Sequence, residues 1–249
     1  MKSLRIGLRA ARLLVTVFWG LLAVLLLYPL IGADRQRAVK RHWSEQMLAA
    51  CGLRMQVQSA PDGASAPQPG ELVAMNHVSF IDILALDALR PVHFIAKSEI
   101  RAWPVVGTLC VRTGTIFIER GRRHAVHQVL RTMAQQLQDG EVVSFFPEGT
   151  TSDGTRLLPF HANLFEAAIR GRAPVRPIVL SYQQHGAPTT LPAFIDDLSL
   201  LDCALTVFAA QGLSLHLQIL DPVPSEGLTR HQLSARVREA MLHCGPWRA

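Results

Sequence analysis

Residues 71–86 read ELVAMNHVSFIDILAL, and the change of pattern inside them decides how the rest of the chain is read. Leu72, Val73, Ala74 and Met75 form a short apolar run with the signature of a buried strand. The run stops at Asn76. Beyond it, Ser79 and Asp82 are N-cap and first-turn residue types, while Ile81, Ile83, Leu84 and Leu86 supply the apolar side of a following helix. His77 therefore falls on a strand-to-helix turn, and in open α/β sheets such turns, at the carboxyl ends of strands, collect ligands and catalytic groups. A His and an Asp five residues apart are rotated by roughly 500° on a straight helix and do not face each other. They meet only with His77 in the turn. Asp82 would then fix one imidazole nitrogen and leave the other free as a base, a pairing suited to an enzyme whose nucleophile is a substrate hydroxyl. The plainer alternative is that both residues merely cap and solvate a helix start.

Outward from this turn, apolar and helical segments alternate. Strands are predicted over 53–58, 92–96, 115–119, 142–146, 175–182 and 215–220. The stripe Val126, Val129, Leu130, Met133 and Leu137 predicts a helix over 124–139 ended by Gly140, with further helices over 163–170 and from the Thr229/Gln232 capping box to Cys244. This alternation predicts an α/β domain with a mostly parallel or mixed central sheet flanked by helices.

The first 52 residues differ in kind. Residues 13–33 carry no charge, and 21 residues of helix reach roughly 31 Å, enough to cross a bilayer core. Lys2, Arg5, Arg9 and Arg12 precede the stretch and Arg35, Arg37, Lys40 and Arg41 follow it, so basic residues flank both sides and Pro29 interrupts it. Spanning and re-entrant forms both fit. From Arg37 to Cys51, Val39, Trp43, Met47, Leu48 and Cys51 recur at helical spacing among cations, which predicts an amphipathic helix at the membrane interface; a core-facing helix is the alternative. The expected division is a membrane-anchoring helical segment over 1–52 and an α/β domain over 53–249.

The 249 residues are 49% hydrophobic and 18% charged, with a mean hydropathy of +0.21, between an ordinary soluble domain and a polytopic membrane protein. A net charge of +6 favours anionic partners. Nucleic acid is the weakest of these, because no aromatic-interleaved basic patch occurs. Cys51, Cys110, Cys203 and Cys244 show neither metal-like nor paired spacing, so they read as reduced, partly buried thiols of a cytoplasmic compartment. Cys110 lies in the apolar run VVGTLCV without a base beside it and reads as packing.

Three strand ends thus bear polar groups: His77 with Asp82, Arg120, and Glu148 with Gly149 and Thr150. In a parallel sheet these ends share one edge. Four blocks in order, NHVSFID at 76–82, GTIFIER at 114–120, FPEGT at 146–150 and VRPI at 175–178, resemble the glycerolipid acyltransferase family that includes the bacterial 1-acyl-glycerol-3-phosphate acyltransferases. The resemblance covers roughly residues 72–180. It implies transfer of a fatty acyl group from acyl-CoA or acyl carrier protein to the free hydroxyl of a lysolipid, with 1-acyl-glycerol-3-phosphate as the leading acceptor and phosphatidic acid as product. It implies His77 as general base and Asp82 as its orienting partner. Asn76, Lys97, Arg120, Glu148, Gly149 and Thr150 would bind substrate: Arg120 and Lys97 at an acceptor phosphate, Glu148 ordering the acceptor site, and backbone N–H groups near Gly149 at the developing oxyanion. It implies no metal or other cofactor, and a place on the cytoplasmic side of a bacterial inner membrane. One departure stands out. Where many members read FPEGTRS, this chain continues Thr151, Ser152, Asp153, Gly154, a form similar to a branch that acylates lyso-ornithine lipids. A lipase or thioesterase would want a GxSxG elbow, which the chain lacks. A catalytically silent membrane-binding protein is the rival of another class.

Overall fold

A seven-strand path in the order β1-β8-β6-β2-β5-β3-β4 forms the middle of the molecule, seen in a computed structural model that describes residues 2–119, 123–195 and 198–247. The strands are β1 (Arg54–Gln58), β2 (Leu72–Met75), β3 (His93–Lys97), β4 (Ile116–Ile118), β5 (Val143–Phe145), β6 (Val175–Gln184) and β8 (Leu213–Ile219). A two-residue β7 (Ala187–Pro188) folds back on the end of β6. β2 lies between β5 and β6, with Leu72 opposite Val143 on one side and Val175 on the other, and all its residues are buried. This explains the unbroken apolar run. A central strand covered on both faces has no solvent side to make polar.

β2 to β6 are mutually parallel, whereas β8 is antiparallel to β6 and parallel to β1. The sheet is therefore mixed, as expected. Around it pack α1 (Lys2–Leu22), α2 (Ala33–Cys51), α3 (Ile81–Leu89), α4 (Val106–Arg112), α5 (Arg123–Gln138), α6 (Glu166–Gly171), α7 (Leu200–Ala209) and α8 (Arg230–Cys244). Each face of the sheet has its own core. One gathers Met75, Ile81, Leu86 and Leu215 under α2, α3 and α7; the other gathers Phe145, Met133, Phe165 and Val237 under α5, α6 and α8. The capping box at Thr229 and Gln232 forms as its spacing predicts. α7 is not among the helices expected from the sequence.

The N-terminal helices correct two expectations. α1 begins at Lys2 rather than at residue 13, and its apolar stretch runs on through a π turn (Ala23–Leu27) and a 3-10 turn (Tyr28–Leu30), where Pro29 ends it. Residues 3–30 are long and apolar enough to cross a membrane. However, one side of the helix lies on the domain: Ile6, Ala10, Leu13 and Val17 pack against the core, and Ala23, Val24 and Tyr28 are buried. α2 turns the face expected at the membrane interface toward the protein. Its Met47, Leu48 and Cys51 enter the core, and Trp43 packs on α1, where its Nε1 donates to the Thr16 carbonyl at 2.8 Å. Gly20 permits this approach, since a β-carbon there would lie 2.3 Å from Trp43 Nε1. Helical spacing of apolar residues records a buried face but not whether lipid or protein buries it.

Candidate active site

Asn76 ends β2. Its amide substitutes for a backbone pair, with Oδ1 accepting the Leu180 N–H at 2.7 Å and Nδ2 donating to the Leu180 carbonyl at 3.0 Å. Buried and engaged with β6 through both ends of its amide, Asn76 holds the strand end.

The turn that follows is organised by Asp82 rather than capped by Ser79. The residue at the N-cap position is Phe80, and no side chain caps the helix there. Instead the Asp82 carboxylate folds back from the first turn of α3, and Oδ2 accepts the N–H groups of Val78 at 2.7 Å and Ser79 at 2.8 Å. The same oxygen lies 2.8 Å from His77 Nδ1. A carboxylate only accepts, so Nδ1 carries the proton and Nε2 keeps its lone pair. Asp82 is 0% exposed, while the His77 side chain retains 18% of its surface, so the carboxylate is sealed behind an imidazole that opens outward. The second carboxylate oxygen is also taken, because Tyr182 on β6 donates to Oδ1 at 2.6 Å. Burial and the neighbouring Asp82 charge push the Tyr182 phenol well above its usual range, so it stays a donor.

The other motif is tied to the same residue. Phe146 stacks on the imidazole with ring centroids 3.7 Å apart and planes 10° from parallel. Glu148 is buried; Oε1 accepts the His77 N–H at 2.9 Å and Oε2 the Leu158 N–H at 3.0 Å. Its carboxyl is raised above the usual range by burial, against the pull of those two N–H groups. Ser152 N–H donates to the His77 carbonyl at 2.8 Å, and the Thr151 hydroxyl donates to the Phe194 carbonyl. The FPEGTTS loop therefore holds both backbone polar groups of His77. Glu148 acts on the turn itself.

Gly149 has φ +69°, and its N–H closes the turn on the Phe146 carbonyl at 3.0 Å. That N–H points into the turn. Thr150 is exposed, and its N–H meets no acceptor among the described residues. Lys97 is exposed at the end of β3, on the sheet edge shared with His77 and the FPEGT turn. Arg120 lies outside the described residues. Cys110 is partly covered, and burial raises its thiol, in keeping with packing. Among the described residues no cluster of three or more His, Cys, Asp or Glu is arranged to hold a metal ion.

Sequence reasoning missed Phe146, Tyr182 and the Ser152 backbone. Tyr182 left one trace, a hydroxyl at the end of an apolar run, since a buried tyrosine needs a partner for its O–H. The stacking of Phe146 depends on a fold contact between distant segments and left none.

An imidazole oriented by a buried carboxylate at a parallel-sheet edge is an arrangement suited to general-base work in an enzyme. The comparisons narrow this. The Acyltransferase family model matches residues 57–181, half of the chain, and the chain belongs to that family. It is 38% identical to the lyso-ornithine lipid O-acyltransferase of Pseudomonas aeruginosa over 97% of this chain and 93% of that one. It is 37% identical to the 1-acyl-sn-glycerol-3-phosphate acyltransferase of Neisseria meningitidis over 78% and 76%. The crystal structure of the 1-acyl-sn-glycerophosphate acyltransferase of Thermotoga maritima superposes with a TM-score of 0.72 at 19% identity, covering 98% of this chain and 95% of the other, and confirms the fold.

Proposed function

We propose that this chain transfers a fatty acyl group from a thioester to the free hydroxyl of a lysolipid at a membrane surface. The observation that carries the reading is the 2.8 Å contact between His77 Nδ1 and buried Asp82, which leaves Nε2 as the free base. Nε2 takes the hydroxyl proton as the oxygen attacks the thioester carbonyl. Asp82 stabilises the imidazolium, the Thr150 N–H holds the developing oxyanion, and the departing thiolate recovers the proton. General-base help of this kind is worth about a hundred- to ten-thousand-fold in rate. Acyl-CoA and acyl carrier protein both satisfy the donor chemistry, and a net charge of +6 attracts either anion.

For the acceptor, the loop after Gly149 favours a headgroup with an ammonium. Asp153 adjoins Ser152, which is bonded to the His77 backbone, and hydrogen bonds from Thr155 hold its carboxyl below the usual range, fully ionised. A carboxylate here offers the ornithine ammonium a partner, with the Arg156 cation close enough to act on it. The relative matched over nearly the whole chain acts on lyso-ornithine lipid. A second acceptor, 1-acyl-glycerol-3-phosphate, has support in the Neisseria relative and in the cations Lys97, Arg120 and Arg156.

The membrane contact is assigned to residues 1–52. The outer side of α1 shows Leu4, Leu14, Phe18 and Trp19 to solvent, Phe18 at 63% exposure. Crossing the bilayer would draw the exposed Asp34, Arg35, Arg41 and Glu45 of the adjoining α2 into hydrocarbon, so α1 lies along one leaflet, on the cytoplasmic face of the bacterial inner membrane.

The test is purified protein given labelled acyl thioester with lyso-ornithine lipid and lysophosphatidic acid side by side. Acylation of the ornithine lipid in preference, abolished by His77→Ala, is the expected result. Thioester hydrolysis independent of any lysolipid, or unchanged transfer by His77→Ala, would sink the mechanism. A preference for lysophosphatidic acid would select the second acceptor.

A further inference from the structure

On the flank of the sheet formed by β6, β8 and β1, away from the strands that carry Glu148 and Lys97, the root of α1 closes over a cavity of about 510 Å³. Three arginines line it, Arg5 and Arg9 from α1 and Arg54 from the start of β1, together with the amides of Gln183 and Gln211 and the backbone of Gly52. No acidic residue lines it, and none of the three guanidinium groups has a carboxylate within ion-pair distance among the described residues. Arg9 is built in. Its Nη1 donates to the carbonyls of Phe208 at 2.9 Å and Ala210 at 2.7 Å, at the C-terminal end of α7. Gly52, at φ +73°, makes room, because a β-carbon there would lie 2.1 Å from Arg9 Nη2. Arg5 turns its terminal nitrogens to the side-chain oxygen of Gln211, which accepts from Nη2 at 3.1 Å. That neutral partner leaves the charge uncompensated, and like charges gathered without counter-ions oppose folding. An anion with several acceptor oxygens relieves that repulsion, and the planar guanidinium fork matches phosphate best.

We propose that this cavity is a phosphate site that takes the headgroup of an anionic membrane lipid. The lipid source follows from α1 itself: the same two turns that aim Arg5 and Arg9 inward show Leu4 and Leu8 to the outside at 69% and 63% exposure. A headgroup seated among the arginines would leave its acyl chains beside those leucines and lock the helix to an anionic leaflet. The proposal is independent of which lysolipid is acylated.

The full-length protein in neutral detergent is titrated with dihexanoyl-phosphatidylglycerol, dihexanoyl-phosphatidylcholine and inorganic phosphate, and binding is followed by calorimetry. Phosphatidylglycerol should bind and phosphatidylcholine should not. The double replacement Arg5→Gln and Arg54→Gln, which spares Arg9 and its helix-capping bonds, should weaken phosphatidylglycerol binding roughly tenfold to a hundredfold, as loss of charged hydrogen bonds implies. Acyl transfer and melting temperature in neutral detergent should stay unchanged. The double replacement by Lys keeps the charge and should retain much of the binding, which covers the case in which the Gln pair misfolds. Inorganic phosphate binding as tightly as phosphatidylglycerol would uphold the phosphate site but make a soluble anion its ligand. Failure of the native protein to bind either, or binding undiminished in the folded Gln pair, would overturn the proposal.

Discussion

At the scale of single residues, the Nδ1 side and the backbone of His77 are held by named partners, and each bond can be tested. Tyr182 reaches the base only through Asp82. Tyr182→Phe strips one hydrogen bond from a buried carboxylate, which makes that carboxylate more basic and the imidazole beside it easier to protonate. The expected result is a lower kcat with the acid limb of the pH–rate profile moved to higher pH; a limb that stays in place with only reduced stability would assign Tyr182 to packing. Glu148 makes a prediction with a definite sign. Burial raises its carboxyl in the folded state, so the native protein holds this proton more tightly than the unfolded chain does. Glu148 therefore favours folding below the ordinary glutamate range and opposes it progressively as pH rises through the raised value. In Glu148→Gln that part of the decline should vanish from denaturation midpoints measured against pH. Overall stability should fall by about 1–3 kcal/mol, because an amide cannot accept both the His77 and Leu158 N–H groups.

At the scale of elements, the helical hairpin of α1 and α2 is where one sequence signal admitted two physical meanings. The exposed residues Leu14, Phe18 and Trp19 and the packed row Ile6, Ala10, Leu13 and Val17 occupy different parts of the circumference of α1. Only the first is available to lipid. Leu14→Ser with Phe18→Ser should reduce sedimentation with phospholipid vesicles, each lost side chain being worth about 1.5–3 kcal/mol when fully buried, while leaving the melting temperature near that of the native protein. Leu13→Ser with Val17→Ser should do the reverse, lowering stability first. Equal effects of the two pairs on both readouts would contradict the division of α1 into a lipid side and a protein side.

At the scale of the whole molecule, the two edges of the sheet are put to different uses. The carboxyl edge of β2, β3 and β5 carries His77, Lys97 and the FPEGT turn. At the opposite ends of β2 and β6, Arg176 is 2% exposed and pairs with Glu71 at 2.6 Å and with Asp62 at 2.9 Å, and it donates to the Leu220 carbonyl. This network joins the start of β2 to the start of β6 and the end of β8. Glu71→Gln leaves the Arg176 cation short of its main partner inside the protein, which should lower stability by about 3–5 kcal/mol without changing the KM of the enzyme that remains folded. Thermal melts and steady-state kinetics on the same preparation separate the two effects.

The alternation of apolar runs and periodic helices was enough to give a mixed α/β fold, because strand and helix periods are local properties of the chain, and the strand bounds came within two residues of those observed. The meeting of His77 and Asp82 was also legible, since five residues across a strand-to-helix turn leave few other arrangements. Partners brought by distant segments were not. Phe146 under the imidazole, Tyr182 behind the carboxylate, Asn76 clamped to Leu180 and the FPEGTTS loop gripping the His77 backbone join residues 69 to 104 positions apart. Such pairings are set by strand order and register, and these depend on how the two cores pack against the sheet as a whole.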